Sequence, residues 1–375
     1  MTAPEPRKPG PPIPLTLLTG FLGAGKTTLL NKLLTDPALK DTAVIINEFG
    51  DVALDHLMVE RIDEEMMVLA SGCLCCTLRG DLVTALEKLL RNLDNGRVSF
   101  RRVMIETTGL ADPAPILQTA MSHPYLVMRF RLDGVVTLID AVNGLSTLDQ
   151  HREAVKQAAV ADRLVLTKTD LIDTPERIAA KDTLIARLHA LNPAAPILDA
   201  AKGEAAPARL LECGLYKPDR KIPDVTAWLA EEAYAAAHDH HHHHHDVTRH
   251  DDRVRSFSLT ADKPIPAAIL DLFLELLRSM HGPNLLRMKG IVNIEETPDT
   301  PVVIHGVQHI LHPPARLERW PDGDRRSRLV FIVRDIEPRV VGELFDAFLG
   351  HPAPDRPDAA ALTDNPLVPF GGPDR

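Results

Sequence analysis

The chain has 375 residues, about two and a half times an ordinary ~150-residue domain, so two folded units plus non-globular segments are expected. Hydrophobic residues make up 45% and charged residues 25%, which excludes a disordered, collagenous or coiled-coil chain. The net charge of −10, from 42 basic and 52 acidic residues, speaks against an electrostatic grip on nucleic acid or anionic lipid. No apolar run approaches the ~18 residues of a spanning helix, and MTAPEPRKPGPP carries prolines where a secretion signal would be apolar. A cytoplasmic protein without nucleic-acid or membrane partners is therefore expected.

Residues 1–12 read as a flexible tail. From residue 13, short β-branched runs alternate with helical patterns. The predicted strands are Pro14–Thr19, Ala43–Asn47, Arg102–Thr107, Gly134–Asp140, Arg163–Thr167 and Pro196–Asp199. Between them lie helices such as Gly80–Leu93, where Leu82, Leu86, Leu89, Leu90 and Leu93 form an apolar stripe. Strand and helix in repetition imply an α/β domain with a mostly parallel sheet and helices on both faces, spanning 13–229. Residues 230–252 include HDHHHHHHDVTRHDD, which cannot pack a core and reads as a linker.

A new pattern follows over 253–350. Strands are predicted at Val254–Thr260, Leu285–Glu295, Pro301–Leu311 and Arg328–Arg334, with helices at Pro266–Ser279 and Glu337–Leu349. This order suggests a smaller α+β domain. In it, Leu285-Leu-Arg287-Met-Lys289-Gly290 reads as a surface strand, with contact to the first domain or a client as the other idea. Residues 351–375 read as a disordered tail.

Gly20-Phe-Leu-Gly23-Ala24-Gly25-Lys26-Thr27 fits G-x-x-x-x-G-K-[ST] between a predicted strand and a predicted helix, the context a phosphate loop requires. Glycines let the backbone curl so that N–H groups from Gly20 to Thr28 face phosphate oxygens at the positive end of a helix. Lys26 would reach the β/γ-phosphates and Thr27 would ligate Mg²⁺. An acidic residue closing another strand should complete the magnesium shell, and Arg102-Val-Met-Ile-Glu106 supplies it. Gly109, three positions on, could donate its N–H to a γ-phosphate. Most phosphate-loop GTPases carry aspartate there, so Glu106 is a departure with longer reach. Lys26, Thr27 and Glu106 are thus the candidate catalytic group, and Thr28 belongs to the nucleotide-binding set.

Thr167-Lys168-Thr-Asp170 follows a predicted strand and is close to N-K-x-D, whose carboxylate accepts hydrogen bonds from guanine N1 and its exocyclic amine. Asp170 therefore favours GTP over ATP, and the stem of Lys168 would pack along the base. Thr167 replaces the usual Asn and leaves the base contact on that side open.

Three of the four cysteines, Cys73, Cys75 and Cys76, sit in one GCLCC segment. In a reducing compartment such clustering reads as metal binding or redox chemistry. Three thiolates suit Zn²⁺, with a fourth ligand from elsewhere or from a client, and Co²⁺ or Cu(I) are also compatible. Glu48, after the second strand, is a further candidate ligand for metal or magnesium. Six consecutive histidines, His240, His241, His242, His243, His244 and His245, lie far from either end and among aspartates. They read as weak auxiliary ligands or as a plain solvated linker.

GFLGAGKTTLLN, NEFGD at 47–51, SGCLCC, IETTGLADP, LTKTD, the His-rich insert and LLRMKG together resemble the CobW-like family of phosphate-loop GTPases, which act as zinc or cobalt metallochaperones. The resemblance runs from about residue 13 to 350. It implies GTP hydrolysis coupled to delivery of a metal to a client, with Cys73, Cys75 and Cys76 matching the family's metal motif; turnover is expected to be slow, because the sequence offers no obvious arginine finger or water-positioning glutamine. Related GTPases often pair around bound nucleotide, so a nucleotide-dependent homodimer is a further expectation. The reading from a different class is a metal-buffering or sensing protein in which nucleotide acts only as a conformational ligand. A small-molecule kinase would explain neither T-K-x-D nor the cysteines.

Overall fold

The computed structural model describes residues 11–47, 68–71, 79–211, 253–308, 310–311 and 314–350. In chain order the first domain contains β1 (Ile13–Gly20), α1 (Lys26–Leu34), β2 (Thr42–Asn47), β3 (Val68–Ser71), α2 (Arg79–Asp94), β4 (Arg102–Glu106), α3 (Pro113–Ser122), α4 (Pro124–Arg129) and β5 (Phe130–Asp140). It continues with α5 (Gly144–Gln150), α6 (Arg152–Ala159), β6 (Arg163–Thr167), α7 (Pro175–Leu191), β7 (Ile197–Asp199) and α8 (Pro207–Leu210). Among the described residues the sheet has seven strands, all parallel, in the order β3-β2-β4-β1-β5-β6-β7.

Strand alternation builds two cores, one on each face of this sheet. Leu15, Leu17, Ile45, Val103, Ile105 and Val135 pack with Leu82, Leu86, Leu89 and Leu90 of α2 on one side. Leu18, Val44, Met104, Val136 and Leu138 pack with Leu29, Leu30 and Leu33 of α1 on the other. Central strands are covered on both faces, which is why their sequences run nearly continuously apolar. All C-terminal strand ends open on one edge, and this edge carries the loops after β1, β4 and β6.

The C-terminal domain contains β8 (Val254–Ala261), α9 (Ala267–His281), β9 (Leu285–Val292), β10 (Val302–Val307), β11 (Ile310–Leu311), β12 (Ala315–Arg316), β13 (Ser327–Arg334) and α10 (Pro338–Phe348). Its antiparallel sheet runs β11-β10-β9-β13-β8, with β12 beside β10. One face is closed by α9 and α10 through Phe273, Leu277, Val341 and Phe345 against Met288, Phe331 and Val333. The opposite face lies on the first domain, where Leu286, Val307, Ile310 and Ile332 join its core.

Three expectations are corrected. Val68–Ser71 forms an additional edge strand paired with β2. The stretch Pro301–Leu311 is two strands, because Gln308 has a left-handed φ of 53° and the chain reverses between Val307 and Ile310. The LLRMKG strand is central and buried throughout, not superficial, because its two cations find a carboxylate on the first domain. The expected boundary near Leu229, the 230–252 linker and the 351–375 tail lie outside the described residues, as does most of the 1–12 tail. Among the described residues no helix is long and apolar enough to cross a membrane.

Candidate functional site

β1 ends at Gly20, and the chain turns through Gly23 and Gly25, with φ of 71° and 86°, before α1 starts at Lys26. Side-chain-bearing residues adopt such φ values only at a cost, so glycine at these two positions follows from the turn itself. Gly25 caps α1 without a side-chain acceptor, and the first turn holds no acidic residue. The helix therefore presents bare N–H groups and its positive dipole end to the loop. Lys26 Nζ crosses the loop and donates to the Gly20 and Phe21 carbonyls at 3.0 and 3.1 Å. Ala24 is buried beneath the turn, and Thr28 is exposed on the first turn of α1.

Thr27 Oγ1 donates to Glu106 Oε1 at 2.8 Å, linking the helix start to the end of β4. Parallel pairing of Leu18 with Glu106 fixes this register. Glu106 is only 5% exposed, so its carboxylate is held at the strand edge rather than solvated. Thr107 then clamps onto β1, its N–H to the Leu18 carbonyl at 2.9 Å and its hydroxyl to Thr19 Oγ1 at 2.8 Å. Gly109 lands on the phosphate-loop tip, where a Cβ would come within 2.5 Å of the Leu22 nitrogen. Only glycine permits that approach. A hydroxyl beside a buried carboxylate is an all-oxygen donor pair, the chemistry that suits Mg²⁺.

On the other side of the loop, Thr167 Oγ1 donates to the Ala24 carbonyl at 2.9 Å. Its hydroxyl thus ties the T-K-x-D segment to the phosphate loop. Lys168 takes φ 59°, and its ammonium reaches Asp140 Oδ2 at 2.7 Å. Burial raises the Asp140 carboxyl, but the Lys168 ammonium, Asn143 and two backbone N–H groups outweigh it and hold it below the usual range. Asp170 stands exposed on the short turn Thr169–Leu171. Thr169 Oγ1 donates to Asp199 Oδ1 at 2.5 Å, joining this turn to the end of β7.

The structure thus brings Gly20, Gly23, Ala24, Gly25, Lys26, Thr27, Thr28, Glu106, Gly109, Thr167, Lys168 and Asp170 to one edge of the sheet. Glu48, Cys73, Cys75, Cys76 and His240 to His245 lie outside the described residues. Asn47 and Ser71, the paired last residues of β2 and β3, precede Glu48 by one position and Cys73 by two, and Ile46 of β2 pairs with Glu106. Sequence reasoning missed Asp140 and Asp199, although each closes a strand it had predicted. It also missed Gln157 on α6, wholly buried, whose Nε2 donates to the Gly109 and Ala111 carbonyls at 3.1 and 3.0 Å. No local pattern announces a glutamine whose partners lie more than forty residues away.

Residues 14–199 match the family described as CobW/HypB/UreG, nucleotide-binding domain. Residues 254–349 match the cobalamin synthesis protein cobW C-terminal domain. The zinc chaperone YjiA of Escherichia coli K12 is 36% identical over 322 residues, 86% of this chain and 94% of that protein. The zinc chaperone CobW of a Sinorhizobium species is 30% identical over 354 residues, covering 85% and 92% of the two chains. The solved structure of zinc-bound YjiA GTPase from E. coli superposes with a TM-score of 0.64 at 31% identity, covering 90% of this chain and 99% of that one.

Proposed function

The chain belongs to the CobW/HypB/UreG family of nucleotide-binding proteins, and from that premise we propose that it hydrolyses GTP slowly and uses the cycle to hand zinc to a metal-requiring client. The observation that carries this reading is the Thr27–Glu106 hydrogen bond at 2.8 Å. It joins the phosphate loop to a strand whose neighbour, β2, runs beside the one leading into the cysteine segment. The domains divide as 13–229 for nucleotide and 253–350 for the cobW-type fold, with a His-rich linker between them.

In this reading the N–H groups of Gly20, Gly23, Ala24, Gly25 and Thr28, together with Lys26, take the phosphates, and Gly109 senses the γ-phosphate. Thr167, Lys168 and Asp170 form the base side. Thr27 and Glu106 would hold Mg²⁺, which when bound would neutralise charge developing on the β- and γ-phosphates. Cys73, Cys75 and Cys76 bind zinc as cargo, with cobalt the alternative that thiolate ligands leave open. Glu48 adds an oxygen ligand, and His240 to His245 act as a reservoir. A nucleotide-dependent homodimer belongs to the same proposal. The support is physical as well as familial, since the bare N-terminus of α1, the crossing ammonium and the buried carboxylate are the parts phosphoryl transfer needs.

Two measurements test it. Asp170→Asn should erode the preference for GTP over ATP by about 10- to 100-fold, the worth of hydrogen bonds to a charged acceptor. Equal wild-type affinity for both nucleotides would end the guanine assignment. Separately, zinc titrated against a competing chelator should bind with affinities differing about 5- to 150-fold between GDP and a non-hydrolysable GTP analogue. That affinity should fall as pH drops, because each thiolate competes with its own protonation. Identical zinc affinity in both nucleotide states would remove the coupling, and nucleotide-dependent zinc binding without steady phosphate release would favour a buffer over a chaperone.

A further inference from the structure

Helix α6 is eight residues long, about 12 Å at 1.5 Å per residue, and its last turn is gripped from two sides. On one side Gln157 donates both amide hydrogens to the loop after Glu106, at Gly109 and Ala111, while Lys156 Nζ pairs with Asp112 at 2.9 Å. The Gln157 backbone carbonyl accepts from Thr137 Oγ1 at 2.8 Å, fixing the helix on β5. Its C-terminal end is held by Asn192, which donates to the Ala158, Ala159 and Ala161 carbonyls. From the other domain Arg287 donates to the Val160 carbonyl at 2.7 Å and pairs with Asp162, which Lys289 also reaches at 3.2 Å. Arg287 and Lys289 sit on β9, the strand between β10 and β13 in the C-terminal sheet.

We propose that α6 couples the nucleotide state to the C-terminal domain, with Gln157 as the positioning residue that holds the Gly109–Asp112 loop. The inference rests on the reading that Gly109 faces the γ-phosphate. A glutamine amide is the side chain that satisfies two carbonyls at once, so the loop cannot shift without either losing those bonds or moving the helix. Movement of a close-packed helical turn is felt by the groups bonded to it, because interiors transmit displacement rather than absorb it. One residue past that turn Arg287 docks on the Val160 carbonyl, and Lys289 joins it at Asp162. The C-terminal domain thereby receives the state of the loop without touching nucleotide.

The test uses the full chain with GDP and with a non-hydrolysable GTP analogue, reading amide hydrogen exchange over residues 285–292 together with steady-state GTP hydrolysis. Wild type should show exchange in this strand that differs severalfold between the two states. Gln157→Met should remove most of that difference and lower kcat about tenfold, with KM for GTP within about twofold. Lys156→Met, at a partly exposed pair, tests the same link without disturbing the core and should at least halve the exchange difference. Analogue binding with no exchange difference in wild type, or an undiminished difference in both variants, overturns the coupling while leaving the nucleotide site standing. Absence of any GTP binding would remove the nucleotide site itself, and the inference with it.

Discussion

Lys26→Ala should lower GTP hydrolysis by at least about 10²- to 10³-fold, the loss seen when one preorganised donor to developing charge is removed, and should weaken GTP binding. Lys26 Nζ already lies across the loop, donating to the Gly20 and Phe21 carbonyls at 3.0 and 3.1 Å. The substitution removes no core group, since the buried residues of α1 are Leu29, Leu30, Leu33 and Leu34. The fold should therefore persist, and circular dichroism with a thermal melt separates lost chemistry from lost structure. Phosphate release at the wild-type rate by a folded Lys26→Ala protein would remove the phosphate-loop assignment.

The phosphate loop was legible in the sequence because each of its features is a local necessity. Gly23 and Gly25 sit at positive φ, Lys26 opens a helix, and Glu106 closes an apolar strand, so residue type and spacing carry the geometry. Strands buried on both faces were equally plain, since β1, β4 and β6 are apolar runs bounded by turn residues. What escaped depended on distant partners. Val68–Ser71 has four residues and no alternation, and it becomes a strand by pairing with β2. Gln308 turns the chain at φ 53° without being glycine or asparagine. Arg287 and Lys289 looked like surface cations because charged residues are rarely buried unless paired. Their partner, Asp162, lies more than a hundred residues earlier in the chain. Gln157 is the same case, a polar side chain whose role is set entirely by tertiary contacts.

The pairing of Asp162 with those cations sets up the second large effect. Asp162, Arg287 and Lys289 are 5%, 3% and 8% exposed, so this is a buried interdomain triad carrying two positive charges against one negative. Burial alone would raise the Asp162 carboxyl, but Arg287, Lys289 and the Val135 N–H outweigh it, and the group is held far below the ordinary carboxylate range. Lys289 is driven the other way, its pKa lowered mainly by burial and restored in part by Asp162. Asp162→Ala leaves both cations uncompensated, and breaking a buried pair in this way costs about 3–5 kcal/mol. Urea denaturation at pH 7 should show that loss. The pH dependence discriminates further. The Asp162 contribution is present above its unfolded value near pH ~4 and is lost only as pH falls through the depressed folded value. The wild type should therefore lose it progressively below pH ~4, with the loss complete only at strongly acidic pH. In the variant Lys289 has lost the partner that favours its charge, so its folded pKa drops further below the unfolded value of ~10.4. Stability then rises with pH across the interval between those two values, and the deficit should shrink in alkaline buffer. Asp162→Ala combined with Lys289→Met should recover part of the loss at pH 7. A single variant within about 1 kcal/mol of wild type, with no pH trend, would mean that the interdomain contact holds without its charges.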